Sequence, residues 1–497
     1  MDTVKYRWLV LAVVSIALLL VAIDMTVLYI ALPTLTHELQ ASTNEKLWIV
    51  NMYPLVVAGL LLGAGTLGDR VGHQRLFIIG LLIFGGASLL AAFSPTAAVL
   101  IFARALLGIG AAAMMPATLA IISLSFEDDR ERSLAIGIWA AVASGGAAAG
   151  PLLGGALLEY FWWGSVFLIN VPIVIVACLL TLCLIKNVRN GSARPWDLIA
   201  SLQIMVVLIS FAYMIKEFSK QQPSMMDAAL ALLLCLVFAW FFARRQRASE
   251  YPLIDMQVFS NPAFSSAVIA GLVVAGCLMG INLVLSQRLQ LVLGLTPLQT
   301  GLYFLPLSLG AIVGSPLSGW LLPRFRSDRF LSSILVVYAI GIGLFMVSFS
   351  YSLYLQLTCL FLLGACVGAS MAAASNTIMD AAPPERAGMA ASIEEISYEL
   401  GGGLGIAIMG SLMAAVYSRT LVVPPGTVSP QLARDGIDSA ILLTEQMPGS
   451  AGESLIVNAR LAFENSVFSV MAAAIVFLLL AAVLVTFNCR RGLTSER

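Results

Sequence analysis

The chain of 497 residues has the composition of a membrane protein: 60% of its residues are hydrophobic, 11% are charged and its mean hydropathy is +0.95. A water-soluble globular protein carries about 25% charged residues, so that class is excluded. The 27 basic residues balance 27 acidic ones, and zero net charge gives no indication of a nucleic-acid partner.

Fourteen apolar runs are long enough to cross a bilayer as helices, which takes about 20 residues. The first six lie near 8–32, 47–67, 75–94, 97–123, 133–157 and 163–185. Two more lie near 196–215 and 226–243, and the last six lie near 262–285, 298–322, 330–350, 353–379, 387–417 and 466–489. The sequence therefore predicts an all-α membrane protein with 14 transmembrane helices in a 6+2+6 arrangement.

This arrangement predicts an N-terminal six-helix bundle over 1–190, two extra spans and a cytoplasmic linker over 191–261, and a C-terminal six-helix bundle over 262–497. Two six-helix halves indicate a repeat-built transporter with its site between the halves, near the middle of the membrane. In the linker, the spacing of Leu253 and Met256 suits a helix at the membrane interface that continues to Phe259.

A long periplasmic loop at 418–465 precedes the last span. Its residues 424–430 are polar, whereas Ile437, Ile441 and Leu442 have helical spacing. Two interpretations stay open, a disordered loop or a short hairpin or helix that covers the outer mouth.

Basic residues are unevenly distributed between the two sides of the predicted bundle. With the N-terminus in the cytoplasm, the inside regions hold 19 Lys and Arg residues, the outside loops hold 7, and Arg104 falls within a span. Because cytoplasmic loops are enriched in Lys and Arg, both termini are expected in the cytoplasm. The first apolar run is expected to be a retained span, since Asp24 interrupts it and no small-residue cleavage site precedes that residue.

The first span carries a carboxylate, Asp24, roughly 24 Å along the helix from its cytoplasmic end. A charge inside the hydrocarbon costs at least about 2.5 to 3.5 kcal/mol, so this side chain must face protein or water. One interpretation is a buried, hydrogen-bonded aspartate. We favour the other, a site that binds a cation or a proton, because the cost of burial requires a function.

The segment that follows the second span reads GTLGDRVGHQR over residues 65–75. Its glycines, among them Gly72, permit a tight turn, and Asp69 and Arg70 can pair across the helix ends. Arg75 closes the segment.

The fourth span contains Arg104, followed by Gly108 and Gly110. Two interpretations are open for this arginine. Its side chain extends outward to the membrane surface, or it lies in a cavity and tunes the carboxylates.

The fifth span reads SGGAAAGPLLGG over residues 144–155. Small residues four positions apart let helices approach closely, and a proline kinks the span. Close packing accounts for the pattern in any case, and we also expect the two halves to rock about this contact. The residues concerned are Gly146, Gly150, Pro151, Gly154 and Gly155.

The thirteenth span carries three carboxylates, Glu394, Glu395 and Glu399, in a run that otherwise has no ionisable group except Tyr398. Glu395 and Glu399 share a helix face, and Glu394 points to a neighbouring one. Burial and mutual repulsion both favour the neutral form, so at least one should bind a proton near neutral pH. The stretch therefore predicts a proton-loading site.

Aromatic and methionine side chains in the spans fit a loose pocket for a cation, because aromatic faces attract cations and methionine adapts to varied shapes. For each one taken alone, contact with lipid or core packing is the simpler interpretation. The candidates are Met25, Tyr29, Tyr53, Trp139, Tyr303, Phe304, Met371 and Tyr398.

The sequence contains no enzyme signature. His37 and His73 lie in loops far apart along the chain, which does not favour a metal site, and no Walker-type loop predicts ATP hydrolysis. The seven cysteines lie in apolar runs or at their ends, as packing residues do.

Four of these motifs, in this order, resemble the signature motifs of the major facilitator superfamily: the first span from Asp24 to Pro33, the segment 65–75, Arg104 with its glycines, and the glycine-rich fifth span. The first and fifth spans, with fourteen helices, are similar to its fourteen-helix drug:proton antiporter family, and within it to exporters of methyl viologen and quaternary ammonium compounds. The resemblance covers essentially the whole chain.

The resemblance implies a major facilitator fold in the bacterial inner membrane. Asp24 would contact cationic substrate or proton, Arg104 would take part in proton coupling, and Asp69 and Arg70 would latch the halves on the cytoplasmic side. The fifth span would mark an antiporter, and the acids of the thirteenth span resemble the acidic patch of the quaternary ammonium pumps.

The chain departs from the family pattern at two places. His73 and Gln74 stand where the family segment is more basic, which weakens the expected latch. Residues 298–322 lack the acidic residue that some relatives carry there.

We therefore expect a proton-coupled multidrug antiporter, driven by the proton gradient without a cofactor and acting as a monomer. It would export lipophilic mono- and dications by alternating access: quaternary ammonium compounds, methyl viologen, bis-biguanides such as chlorhexidine, and cationic dyes. A symporter that imports a cationic nutrient uses the same kind of buried acids and is the main rival. A membrane sensor or scaffold is disfavoured, because the sequence has no sizeable soluble domain.

Overall fold

The computed structural model describes residues 6–126, 128–185, 197–219, 223–249, 252, 258–325, 327–381, 387–425, 427, 429–445, 447 and 450–495. In this part of the chain the fold is entirely helical. The helices are α1 (Arg7–Glu38), α2 (Thr43–Val71), α3 (His73–Ala92), α4 (Ala97–Ser125), α5 (Asp129–Tyr160), α6 (Ser165–Leu168), α7 (Asn170–Leu184), α8 (Leu198–Ser219), α9 (Met225–Ala248), α10 (Pro262–Gln287), α11 (Pro297–Leu321), α12 (Ser327–Ser348), α13 (Leu353–Ala381), α14 (Ala387–Thr420), α15 (Pro430–Asp435), α16 (Ile437–Glu445) and α17 (Ser450–Ser495).

Local sequence signals account for the boundaries around α2. Ser42 and Glu45 form a capping box at its start, in which the Glu45 carboxylate accepts the Ser42 N–H at 3.0 Å. Gly72 separates α2 from α3 with a φ of 98°, a conformation that strains any residue with a side chain.

Among the residues that the structure describes, twelve helices are long and apolar enough to cross a membrane, counting α6 and α7 as one span. Two other long helices, α2 and α5, are not among these twelve. They are 29 and 32 residues long and pack inside the bundle, α2 against α4 and α5 against α1. The multi-pass helical fold is thus confirmed, whereas the count of fourteen spans stays a prediction.

Two hydrophobic cores divide the bundle into two halves. The first half is built from α1–α7, and the second from α10–α17. Helix α8 lies against α2 of the first half and α14 of the second, around a small third core that contains Trp48, Leu208 and Ala407. Helix α9 packs on α8, and α8 therefore lies at the seam between the halves.

The bundle has two ends, which we name by the chain segments they contain. The terminal end holds the start of α1, where Arg7 pairs with Glu131 at 2.6 Å, and the end of α17. The loop end holds α15, α16 and the start of α17. Helix α17 has 46 residues, or about 69 Å of helix, and so extends beyond a bilayer core of about 30 Å.

The halves meet closely at the loop end. A Cβ added to Gly155 of α5 would lie 2.7 Å from the backbone of Leu298 in α11, and one added to Gly301 of α11 would collide with the Pro151 carbonyl of α5. Gly410 of α14 is in similar contact with Leu47 of α2. These contacts close the loop end of the seam.

The long segment before the last span contains two short helices, α15 and α16, which does not support the disordered interpretation of the loop. The last helix begins at Ser450, ahead of the predicted span that starts near 466. In the linker, the 3₁₀ turn Val258–Ser260 is described, whereas Leu253 and Met256 lie outside the described residues.

Candidate functional site

A buried ion pair lies at the centre of the first half. Asp24 of α1 has no exposed surface, and its Oδ2 lies 2.5 Å from Nη1 of Arg104 in α4. The same guanidinium donates from Nε to the carbonyl of Ile49 at 3.2 Å, and its carbon lies 4.6 Å from the centroid of the Tyr53 ring. Arg104 is only 1% exposed, so its side chain lies inside the protein instead of reaching the membrane surface.

The pair borders a small cavity between the two halves. The cavity has a volume of about 30 Å³, enough for about one water molecule, so the site has little free space in this conformation. Helices α1, α2 and α4 line it from the first half, and α10 and α14 from the second. Six of the residues singled out from the sequence line it: Met25, Tyr29, Tyr53, Arg104, Tyr398 and Glu399.

Two acidic side chains, one in the cavity wall and one paired with Arg104 beside it, have an oxygen without a hydrogen-bond partner in the described part of the chain. These atoms are Oε2 of Glu399 in α14, which is 6% exposed, and Oδ1 of Asp24. A buried carboxylate oxygen is costly to leave unpaired. It can be satisfied by binding a proton or by meeting a cation, so each acid can bind either.

The three acids of α14 form a series along the helix from the terminal end towards the cavity. Glu394 and Glu395 are partly exposed, whereas Glu399 is buried. The rise of α14 separates the first and last of them by about 7.5 Å along the axis. The Tyr398 hydroxyl lies within hydrogen-bond distance of Oε1 of Glu394 (3.1 Å) and of the carbonyl of Met371 (3.2 Å). Because the Tyr398 side chain also lines the cavity, it connects Glu394 to the cavity.

The remaining cavity wall is aromatic and sulfur-rich. Tyr29 donates its hydroxyl hydrogen to Sδ of Met279, at 3.2 Å, across the interface between the halves. Tyr53 presents a ring face that Arg104 already uses. Faces and thioethers of this kind favour a cation without demanding a fixed shape.

Four predicted pocket residues lie elsewhere, and one of them, Met371, packs against the second core. The indole N–H of Trp139 donates to the Thr118 hydroxyl at 3.1 Å inside the first half. The Tyr303 hydroxyl donates to Oε1 of Gln356 at 2.6 Å, and Phe304 packs in the second core. Their assignment to the pocket stays a prediction, and this conformation does not bring them to the cavity.

The segment at 65–75 forms the end of α2 and the start of α3. Arg70 and Arg75 are exposed, and Gly72 makes the turn between the helices. The side chain of Asp69 lies outside the described residues. The latch therefore stays a prediction.

The glycines of α5 let it pack against helices of both halves. Gly146, Gly150 and Gly154 face α1, where an added Cβ on Gly150 would collide with the Thr26 hydroxyl. Gly155 and Pro151 face α11 of the other half. Helix α5 thus connects the helix that carries Asp24 to the interface between the halves.

One polar contact at the loop end was not expected from the sequence, which placed Lys46 only as a basic residue in an outside loop. Lys46 of α2 is 2% exposed, pairs with Asp438 of α16, and donates to Oε1 of Gln287 in α10 at 2.8 Å. The one feature of the sequence that points towards this contact is the helical apolar spacing of the segment that carries Asp438, which predicts a helix over the outer mouth. The contact joins the two halves where the seam is closed.

Comparisons with known proteins agree with this architecture. The model of the Major Facilitator Superfamily matches residues 14–406 and 268–492. The chain is 39% identical to the methyl viologen resistance protein SmvA of Salmonella typhimurium, over 98% of this chain and 99% of that protein. It is 36% identical to the multidrug efflux pump LfrA of Mycolicibacterium smegmatis, over 97% and 96% of the two chains.

The fold is also found among solved structures. A bacterial homologue of the human lysosomal transporter Spinster, in an inward-facing and unoccupied conformation, superimposes with a TM-score of 0.68 at 19% identity, over 98% of this chain and 97% of that one. Similarity at this identity concerns the fold alone. Taken with the family match and the full-length relatives, it leads to one conclusion: the chain belongs to the major facilitator superfamily of membrane transporters.

Proposed function

We propose that this protein is a proton-coupled antiporter that exports lipophilic mono- and dications from the bacterial cytoplasm. Methyl viologen is an expected substrate, in keeping with the name of one efflux relative. The aromatic and methionine wall of the cavity favours quaternary ammonium compounds, chlorhexidine and cationic dyes as further substrates. The observation that carries the proposal is the cavity between the halves, where Glu399 and the Asp24–Arg104 pair meet an aromatic and methionine wall.

The proposed topology has fourteen spans in the inner membrane, with both termini in the cytoplasm. Helices α2 and α5 supply the two spans beyond the twelve, and residues 47–64 of α2 contain no charged side chain. The excess of Lys and Arg on the terminal side supports this orientation. The loop end is then periplasmic, and the closed seam there corresponds to a state that releases nothing outward.

In the proposed cycle, cation and proton compete for the same acids. Glu395 and Glu399, deprotonated, attract a cation that enters from the terminal end. The halves then rock about the α5–α11 contact and open the loop end. Protons from the periplasm neutralise the acids, the cation leaves, and the protonated protein returns and releases its protons inside.

Arg104 makes Asp24 a conditional site. While the ion pair is intact, the positive guanidinium opposes a second cation beside Asp24. Protonation of Asp24 removes its attraction for Arg104, and a cation that displaces Arg104 gains a full carboxylate. Binding of either a proton or a cation to Asp24 thus separates it from the same partner, Arg104.

Charge balance explains why two acidic sites are useful. Export of one positive charge against an inside-negative potential costs about 2.3 kcal/mol per 100 mV. A dication costs about twice that amount, and one returning proton recovers only half of it. Two separate sites, Asp24 and the α14 acids, permit two protons per dication and an electroneutral exchange.

Inside-out membrane vesicles with an acidic interior test the proposal. Added methyl viologen should dissipate the pH gradient in vesicles that contain the protein, because protons leave as the cation enters. Vesicles with the Asp24→Asn variant serve as the matched control. A symporter that imports cations would leave the gradient unchanged, and that result would overturn the proposal.

A further inference from the structure

A second cavity lies at the loop end of the seam, well away from the central site. Its volume is about 230 Å³, several times that of the central cavity and sufficient for a polar group of several atoms. Helix α2 of the first half, α14 and α15 of the second, and α8 between them contribute its walls. Its polar lining includes Thr43, Lys216, Ser418, Gln431, Arg434 and Asp435.

The cavity wall holds two basic side chains and one acidic one. Lys216 of α8 is 2% exposed, and its Nζ lies 3.7 Å from the centroid of the Trp48 ring. Arg434 of α15 is exposed at the mouth. The one carboxylate in the wall, that of Asp435, accepts the Thr43 N–H at the start of α2 at 3.1 Å. Two basic side chains therefore line the cavity, Arg434 at its mouth and Lys216 in its buried wall, while the one acid among the described wall residues is turned towards a helix N-terminus.

Neutral hydrogen-bonding groups complete the wall. Thr43 and Ser418 are buried and Gln431 is exposed. Amide, amino and guanidinium groups match the oxygens of a phosphate, and arginine in particular forms paired hydrogen bonds with this group. The chemistry of the wall favours an oxyanion over an apolar ligand.

The position of the cavity along the bundle selects the source of that anion. Ala414 of α14, which lines the cavity, lies 15 positions beyond Glu399, or about 22 Å along the helix. The headgroup region of a bilayer begins about 15 Å from its middle and ends at about 22 Å. If Glu399 lies near the middle, the cavity lies at the level of lipid phosphates.

We propose that this cavity binds the phosphate of an anionic phospholipid headgroup, held by Lys216 and Arg434. The bound headgroup touches α2 of one half and α14 and α15 of the other, and so ties the halves together where the seam is closed. Binding itself does not depend on the transport mechanism. The effect on the cycle rests on the proposed antiport.

Thermal unfolding of the purified full-length protein in detergent tests the site, with dioctanoyl phosphatidylglycerol as the probe. We expect a saturable rise in the unfolding temperature. Arg434→Gln and Lys216→Met should each raise the half-saturating lipid concentration about tenfold, the usual effect of one lost charge-assisted hydrogen bond. Arg460→Gln is the matched control, because Arg460 is an exposed arginine of the loop end outside the cavity.

Two further arms identify the ligand. Dioctanoylglycerol, which lacks phosphate, should give no saturable rise, and inorganic phosphate should give at most a small one. Equal stabilisation by dioctanoylglycerol, or a full shift from inorganic phosphate alone, would overturn the assignment to a lipid headgroup. Unchanged binding by Arg434→Gln would also overturn it, and that variant alters an exposed side chain, so folding does not confuse the result. No arm measures transport, so a failed antiport experiment leaves this test intact.

Discussion

The guanidinium of Arg104 lies 2.5 Å from the carboxylate of Asp24, 80 positions earlier in the chain, and both side chains are buried. The pair joins α4 to α1 beside the cavity between the halves. In the proposed cycle, the response of Asp24 to a substrate cation depends on how readily Arg104 leaves it. A cation, a proton and Arg104 then compete for one carboxylate.

The ion pair can be separated from its role in transport by a pair of variants. Asp24→Asn should abolish resistance to dications and destabilise the protein by about 3 to 5 kcal/mol, because it leaves a buried guanidinium unpaired. The double variant Asp24→Asn/Arg104→Gln should recover much of the unfolding temperature but no transport. Asp227→Asn, at an exposed acid of α9, is the control. Transport by the double variant would show that Asp24 has only a structural role.

Loss of a carboxylate on α14 should reduce resistance to dications more than resistance to monocations. With one proton fewer per cycle, export of a dication loses about 2.3 kcal/mol per 100 mV, or about a fiftyfold change in the attainable gradient. Glu395→Gln and Glu399→Gln should therefore lower resistance to methyl viologen and chlorhexidine more than resistance to a mono-quaternary dye. Growth inhibition across the three compounds measures the difference. Glu453→Gln, at an exposed residue of α17, is the control, and equal losses for both substrate classes would contradict the division.

A single methyl group should disturb the seam between the halves. A Cβ on Gly155 would meet the backbone of Leu298 and Pro297 at 2.7 Å, whereas one on Gly145 of the same helix meets nothing within 4 Å. Overpacking costs about 1 to 3 kcal/mol, so Gly155→Ala should favour states with an open loop end and Gly145→Ala should not.

Alkylation measures this shift. The reporter is Met279→Cys in a background without the seven native cysteines. This cysteine should react faster with a membrane-impermeant maleimide from the loop side when Gly155→Ala is also present than when Gly145→Ala is. Identical rates in both glycine variants would mean that the α5–α11 contact does not control opening.

The Lys46–Asp438 pair should act as a lock on the closed loop end. Lys46→Gln and Asp438→Asn each leave a buried group without its partner, and both should increase loop-end alkylation in the same cysteine assay. Residues in direct contact typically couple by about 0.5 to 3 kcal/mol in a double-mutant cycle. Because removal of either side chain already breaks the contact, the double variant should show about the same alkylation rate as either single variant. Strictly additive effects would show that the two side chains do not act together.

The sequence predicts the elements of this fold well, because bilayer-length apolar runs leave little choice but helices. It also identifies the acids, since a charge inside such a run is rare and costly. Asp24, Arg104 and Glu399 could each be chosen in this way. The structure brings Arg104 and Glu399 to one cavity and pairs Asp24 with Arg104 beside it.

Partners across the fold could not be predicted in the same way. Nothing local in the sequence pairs Asp24 with Arg104 or Lys46 with Asp438, because those contacts depend on helix packing over long separations. The start of α17 at Ser450 was missed since its first turns carry Glu453, Asn458 and Arg460, which are typical of a loop. Tyr303 and Trp139 have the right chemistry for a pocket, but their helix faces point elsewhere.

Proton release on substrate binding tests the central claim most directly. Methyl viologen added to purified protein in weakly buffered detergent solution near neutral pH should release protons, as reported by a pH dye. The triple variant Asp24→Asn/Glu395→Gln/Glu399→Gln should release none. Methyl viologen that binds the parent protein without releasing protons, or that releases as many from the triple variant, would contradict competition between cations and protons at these acids.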